Sequence, residues 1–212
     1  MKVADTSGNF ENAPAGTHLA RCIGLTGLGT HKQEFQGKER WRNTVVITWE
    51  LPYEQMSDGR PFIVSNWYTR SLADRANLRQ DLEAWRTKQF SADELKGFEM
   101  KNLLDKGCQV IVAEKENGKR FVTGVAALPK GTQLPDRVNP LKYFDIYDHE
   151  DDGYDNAFEA LSEKFQEMVR NSREYQEIAA HGHILTDEER SAQANGEKAQ
   201  AAAAGSDDDI PF

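Results

Sequence analysis

Between Thr26 and Arg42 the sequence interleaves cations with aromatic rings: Lys32, Phe35, Lys38, Arg40, Trp41 and Arg42 fall in one short stretch. Cations so placed can follow a run of phosphates while aromatic faces receive unstacked bases, each stacked base contributing about 1–3 kcal/mol. This is the chemistry of holding a single strand, not of breaking a bond. A second group lies in Pro61 to Arg70, where Asn66, Tyr68 and Arg70 alternate with Ile63, Ser65 and Trp67. A strand's pleat fixes that division but not which side faces inward. Tyr68 and Arg70 are assigned to the ligand side, with Trp67 as the alternative. Lys115, Lys119 and Arg120 flank an Asn117-Gly118 turn and can close the opposite rim. Arg75 and Arg79 have Asp74 and Asp81 nearby to satisfy them and are left out of the surface.

Other constellations point elsewhere or nowhere. Asp148, Glu150, Asp152, Gly153 and Glu159 match positions of a calcium-binding helix-loop-helix loop. However, Asp155 stands where that loop has an apolar residue, and Pro140 leaves little room for an incoming helix. The acids also suit the first turn of a following helix. The glycines of Gly24-Leu25-Thr26-Gly27-Leu28-Gly29 have neither phosphate-loop nor dinucleotide spacing. His181 and His183 lack neighbouring ligands, and Cys22 and Cys108 lie outside any Cys-x-x-Cys spacing. No nucleophile, base and orienting acid form a set. The leading reading is therefore of a protein that is not an enzyme and needs no cofactor and no metal.

The formal charge of -9 over 212 residues looks wrong for a polyanion's partner until it is divided along the chain. Residues 1–140 carry 20 Lys/Arg against 17 Asp/Glu, whereas residues 141–212 carry 6 against 18. The acidity belongs to the C-terminal third, and the remainder can present a basic groove. Met1 to Asp5 lacks the apolar run of a signal peptide, and no stretch approaches a membrane span, so a soluble cytoplasmic protein is expected.

The elements that must position these residues follow from periodicity. Alternating apolar residues predict strands over Thr17 to Leu25, Asn43 to Leu51 and Pro61 to Arg70, with a long polar loop between the first two. Ser71 is expected to cap a helix in which Leu78, Leu82 and Trp85 form an apolar stripe, and Ser91 to Lys96 a short second one. Cys108 to Glu116 and Lys119 to Ala127 are strands joined at Asn117-Gly118. The order implies a mainly β fold with helices: an oligonucleotide-binding (OB) fold, a five-stranded barrel with a helix between strands 3 and 4. Phe158, Leu161, Phe165 and Met168 predict an amphipathic C-terminal helix running toward Ala180, docked on the barrel or on another subunit. Residues 181–206 read as a flexible linker with transient helix as the alternative, Thr186 and Glu189 being spaced as a capping box. The expected units are thus a domain over 1–140, an acidic segment and helix over 141–180, the linker, and a disordered acidic tail ending in a tip at 207–212. Monomer, dimer and tetramer are all compatible with this layout.

The tip is Asp207-Asp208-Asp209-Ile210-Pro211-Phe212. An aromatic ring beside a terminal carboxylate, preceded by acids and stiffened by proline, suits a pocket with an apolar floor and a basic rim. It closely resembles the acidic tip of bacterial single-stranded DNA-binding proteins. That resemblance implies that Phe212 and its carboxylate enter a partner's pocket while Asp207 to Asp209 meet its rim, recruiting replication, recombination or repair proteins to coated DNA. The body is more similar to the diverse bacteriophage proteins of this type, some with comparable tails, which implies the cytoplasm of a host cell. Two other readings remain open: an interaction protein that competes for the tip's receptors without binding DNA, and a metal-dependent subunit of a DNA-metabolism enzyme using the acids at 145–159.

Overall fold

The computed structural model describes residues 11–35 and 37–204, and the tip at 207–212 lies outside them. The main sheet is antiparallel. Its strands are β1 (Gly16–Phe35), β2 (Lys38–Gln55), β3 (Pro61–Thr69), β4 (Gly107–Glu114) and β5 (Arg120–Ala127). They stand in the order β3-β2-β1-β4-β5. A short strand, β6 (Lys142–Asp145), adds to β1 in parallel. Among the described residues no hydrogen-bonded register joins β3 to β5, so the ladder is not closed, although these two edge strands touch.

β1 and β2 run far beyond the expected strands. The stretch expected as a polar loop is a two-stranded ribbon, paired from Thr30↔Asn43 to Phe35↔Lys38. Both faces of such a ribbon meet water, so it needs no apolar alternation. Backbone bonds and cross-strand pairs such as Lys32–Glu39, at 2.6 Å, suffice. At its base the register shifts between Gly27 and Gly29. Gly29 has φ +81°, and a Cβ there would stand 2.7 Å from Ser172 Cβ. Only glycine supplies both that backbone and that closeness.

Inside the sheet lies the larger core, with Val45, Ile47, Trp49 and Leu51 of β2 and Val110 and Val112 of β4. Helix α1 (Asn77–Arg86) buries the expected stripe of Leu78, Leu82 and Trp85 against it. Its N-cap is Ala76 and makes no side-chain bond; Ser71 instead accepts from Ala73 N in the preceding turn. The expected helix at 91–96 is a single 3-10 turn, Glu94–Lys96. Cys22 and Cys108 are buried in this core, and burial pushes the Cys22 thiol up to about 12, which leaves it unreactive.

The C-terminal segment belongs to the same body. Where one helix was expected there are three: α2 (Tyr154–Glu159), α3 (Glu163–Arg170) and α4 (Arg173–His181). Ser162 and Ser172 break the run, each in extended conformation and accepting a backbone N–H three residues on. These helices cover the sheet's outer face and bury a second core of Leu28, Val46, Phe144, Ile146 and Val169. The stretch read as linker carries α5 (Asp187–Ala204), begun by the Thr186–Glu189 capping box and tied back through Arg190 to Glu177 at 2.6 Å. Composition there lacks apolar residues, but the cap and an alanine-rich run favour helix on their own.

Candidate nucleic-acid interface

Along the ribbon the pleat sorts the expected residues. Lys38, Arg40 and Arg42 alternate with Glu39 and Trp41, so the three cations share one face of β2. All three are exposed and have no ion-pair partner among the described residues. Lys32 is also exposed, but it is held by Glu39. Trp41 is 55% exposed, and the Arg173 guanidinium lies 5.4 Å from its ring centroid. Phe35 ends β1, and its side chain lies outside the described residues.

Strand β3 faces the opposite way from the assignment made on alternation. Tyr68 is only 3% exposed, and its hydroxyl donates to Asp81 at 2.7 Å. It packs in the inner core and has no free face to offer a base. Trp67 stands outward, 43% exposed, edge-on to Phe165 at 5.6 Å and with Lys164 Nζ 6.0 Å from its centroid. The reason is the register: Tyr68 pairs with Val45 of the inward row and Trp67 with Val46 of the outward one. Arg70 is committed to Asp145 at 2.7 Å and lies over the Tyr147 ring. Burial raises the Asp145 carboxyl, and Arg70 offsets part of that.

The third group is split. Lys115 covers the Phe121 ring at 5.0 Å and Lys119 is exposed, but Arg120 pairs with Glu114 and donates to Ala13 O at 3.1 Å. The turn itself is as expected, with Gly118 at φ +77°. At the acidic loop Asp148 is tied to Lys101 at 3.2 Å, and Gly153 precedes α2 with φ +97°. Among the described residues no group of three or more His, Cys, Asp or Glu is arranged to hold a metal ion.

One network fixes the ribbon to the helices. Glu174, fully buried, accepts from Thr30 N at 2.6 Å, Thr30 Oγ1 at 2.5 Å and Tyr147 Oη at 2.6 Å. Burial alone would raise its carboxyl, but these donors outweigh it and hold it below the usual range. Tyr147 in turn accepts from Asn43 Nδ2 at 2.6 Å. The bonds anchor both strands of the ribbon where it leaves the sheet. Lys164, Phe165 and Arg173, which stand against the two exposed tryptophans, had no signal in the sequence beyond helical periodicity.

No protein-family model matches this chain, and no curated protein matches its sequence.

Proposed function

We propose that this protein binds single-stranded DNA, holds it unpaired during replication, recombination or repair, and recruits partner proteins through its C-terminal tip. The observation that carries this reading is the pairing of two outward tryptophans, Trp41 and Trp67, with cations. Arg173 and Lys164 lie at their rings, and Lys38, Arg40 and Arg42, without an ion-pair partner among the described residues, line the other face of the same ribbon. Exposed tryptophan costs solubility unless a partner covers it, and a base plus a phosphate is the partner that a ring plus a cation fits. The architecture supports it too. Strands in the order β3-β2-β1-β4-β5, with β3 touching β5 and α1 packed on both, are compatible with the strand order of an OB fold, which is the reading we favour. The protein acts stoichiometrically, in the cytoplasm of a cell or of a phage's host.

Fluorescence anisotropy of labelled oligo-dT, against full-length protein and a chain ending at Ser206, tests it. Both should bind, with affinity falling as salt rises, and the shortened chain should bind at least as tightly because it lacks the acidic tip. Absence of binding by both forms at low salt overturns the reading and favours an interaction protein that only competes for the tip's receptors.

A further inference from the structure

Between the outer face of the sheet and helices α2 and α3 lies a cleft of about 500 Å³ that the exposed residues of the ribbon do not reach. Its floor is made of small side chains on three strands, Gly24, Thr48 and Ser65. A Cβ on Gly24 would already stand 3.2 Å from Thr48 Cβ. Ile63 forms one wall and Leu161 and Phe165 the other. Trp67, edge-on to Phe165, stands at the boundary with solvent.

Charge is what singles the cleft out. The C-terminal third is strongly acidic, and Asp155, Glu159 and Glu163 lie on the very helices that form the wall. Yet among the described residues no carboxylate lines the cleft, and the one charged lining residue is Lys142. The polar atoms facing inward are neutral. Thr48 Oγ1 and Ser65 Oγ bond each other at 3.0 Å, which leaves one hydroxyl hydrogen and several lone pairs unused. An apolar slot with neutral donors and acceptors, a cation at its edge and an aromatic rim suits a flat, uncharged heteroaromatic ring that carries a phosphate outside.

We infer that this cleft takes an unpaired nucleobase of the bound strand, with Phe165 and Ile63 against its faces, the Thr48–Ser65 hydroxyls at its edge, and Lys142 and Lys164 near the flanking phosphates. The inference rests on the single-strand reading above and adds to it that the helical layer is one wall of the binding site. The base inserts between sheet and helix, so binding has a base-dependent part separate from the phosphate contacts of the ribbon.

The test compares oligo-dT with an abasic oligonucleotide of equal length and equal phosphate count, using full-length protein and the Ser65→Phe variant. Ser65 is an exposed strand residue, and phenylalanine is well accepted there while filling the cleft. The wild type should prefer oligo-dT, and Ser65→Phe should lower oligo-dT affinity about tenfold, in line with the contribution of one stacked base, while abasic binding is unchanged. Photo-crosslinking of the wild type with 5-iodouracil-bearing oligo-dT gives a readout free of any substitution, with adducts expected at Phe165 or Tyr143, which line the cleft. Equal binding of both oligonucleotides by the wild type, or adducts confined to the ribbon, overturns the inference while leaving strand binding intact. No binding of either oligonucleotide overturns the single-strand reading itself. An Ile-Pro-Phe-ended peptide that binds in a Ser65→Phe-sensitive way, without base-dependent affinity for DNA, assigns the cleft to a peptide instead.

Discussion

The two faces of the sheet are covered by cores of different kinds. The inner one, closed by α1, is almost wholly apolar; charges meet it at its edge, where the Tyr68 hydroxyl donates to Asp81 and the Arg86 guanidinium lies over the Phe90 ring. The outer one beneath α2 to α4 is smaller and borders buried polar groups: Thr30, Thr44, Asp145, Ser172 and Glu174. Apolar burial is tolerant of detail and scales with area, whereas a buried carboxylate holds only while each of its donors is in place. The inner core therefore sets whether the chain folds. The outer one sets where the helices sit against the ribbon, and with them the arginine and lysine that face the tryptophans.

The largest effect tests the inner core. Trp49→Ala removes a fully buried ring packed at 6.2 Å from Trp85 and should cost about 4 kcal/mol, seen in urea denaturation as an earlier single transition. Glu174→Ala should cost about 3 kcal/mol, because it strands the Thr30 amide, the Thr30 hydroxyl and the Tyr147 hydroxyl. Its signature should be local: hydrogen exchange rising in α3, α4 and the ribbon base while β4 and β5 keep their protection. Uniform loss of protection would show that the two cores are one cooperative unit and break the contrast.

On the binding side, Trp41→Ala and Trp67→Ala should each weaken oligo-dT binding by about 1–3 kcal/mol by anisotropy. Only Trp67→Ala should also loosen α3, since Phe165 rests on that ring. Arg40→Ala and Arg42→Ala should each reduce the slope of log affinity against log salt by about 0.7, with no change in melting temperature.

The smallest effect is in pH. Glu174 is held below the usual carboxylate range in the folded state, so its contribution is complete above the unfolded value and lost as acid protonates the folded form. Tyr147 has the opposite sign. Burial and the bond to Glu174 raise it to about 12, so its contribution is complete below the ordinary tyrosine range near 10 and lost as pH climbs toward 12. Near-ultraviolet circular dichroism should therefore show the outer layer loosening at both extremes before the inner strands melt.

The sequence by itself determined the inner framework. Val45, Ile47 and Trp49 alternate as a half-buried strand must, Leu78, Leu82 and Trp85 recur as a buried helix face must, and Asn117-Gly118 can hardly be other than a hairpin turn. It also marked the cationic and aromatic stretch that became the ribbon. Tertiary structure alone decided the rest. Whether Tyr68 or Trp67 faces out depends on which row of β2 each one pairs with, and a strand's pleat is symmetric until its partner is known. The ribbon's strands are invisible to periodicity because neither face is buried, and Arg120 looks available until Glu114 and Ala13 stand beside it. Glu174 reads as one more surface acid of an acidic helix. Its role comes from Thr30, which is 144 positions away in the chain and reaches it only because Gly29 lets α4 approach the sheet.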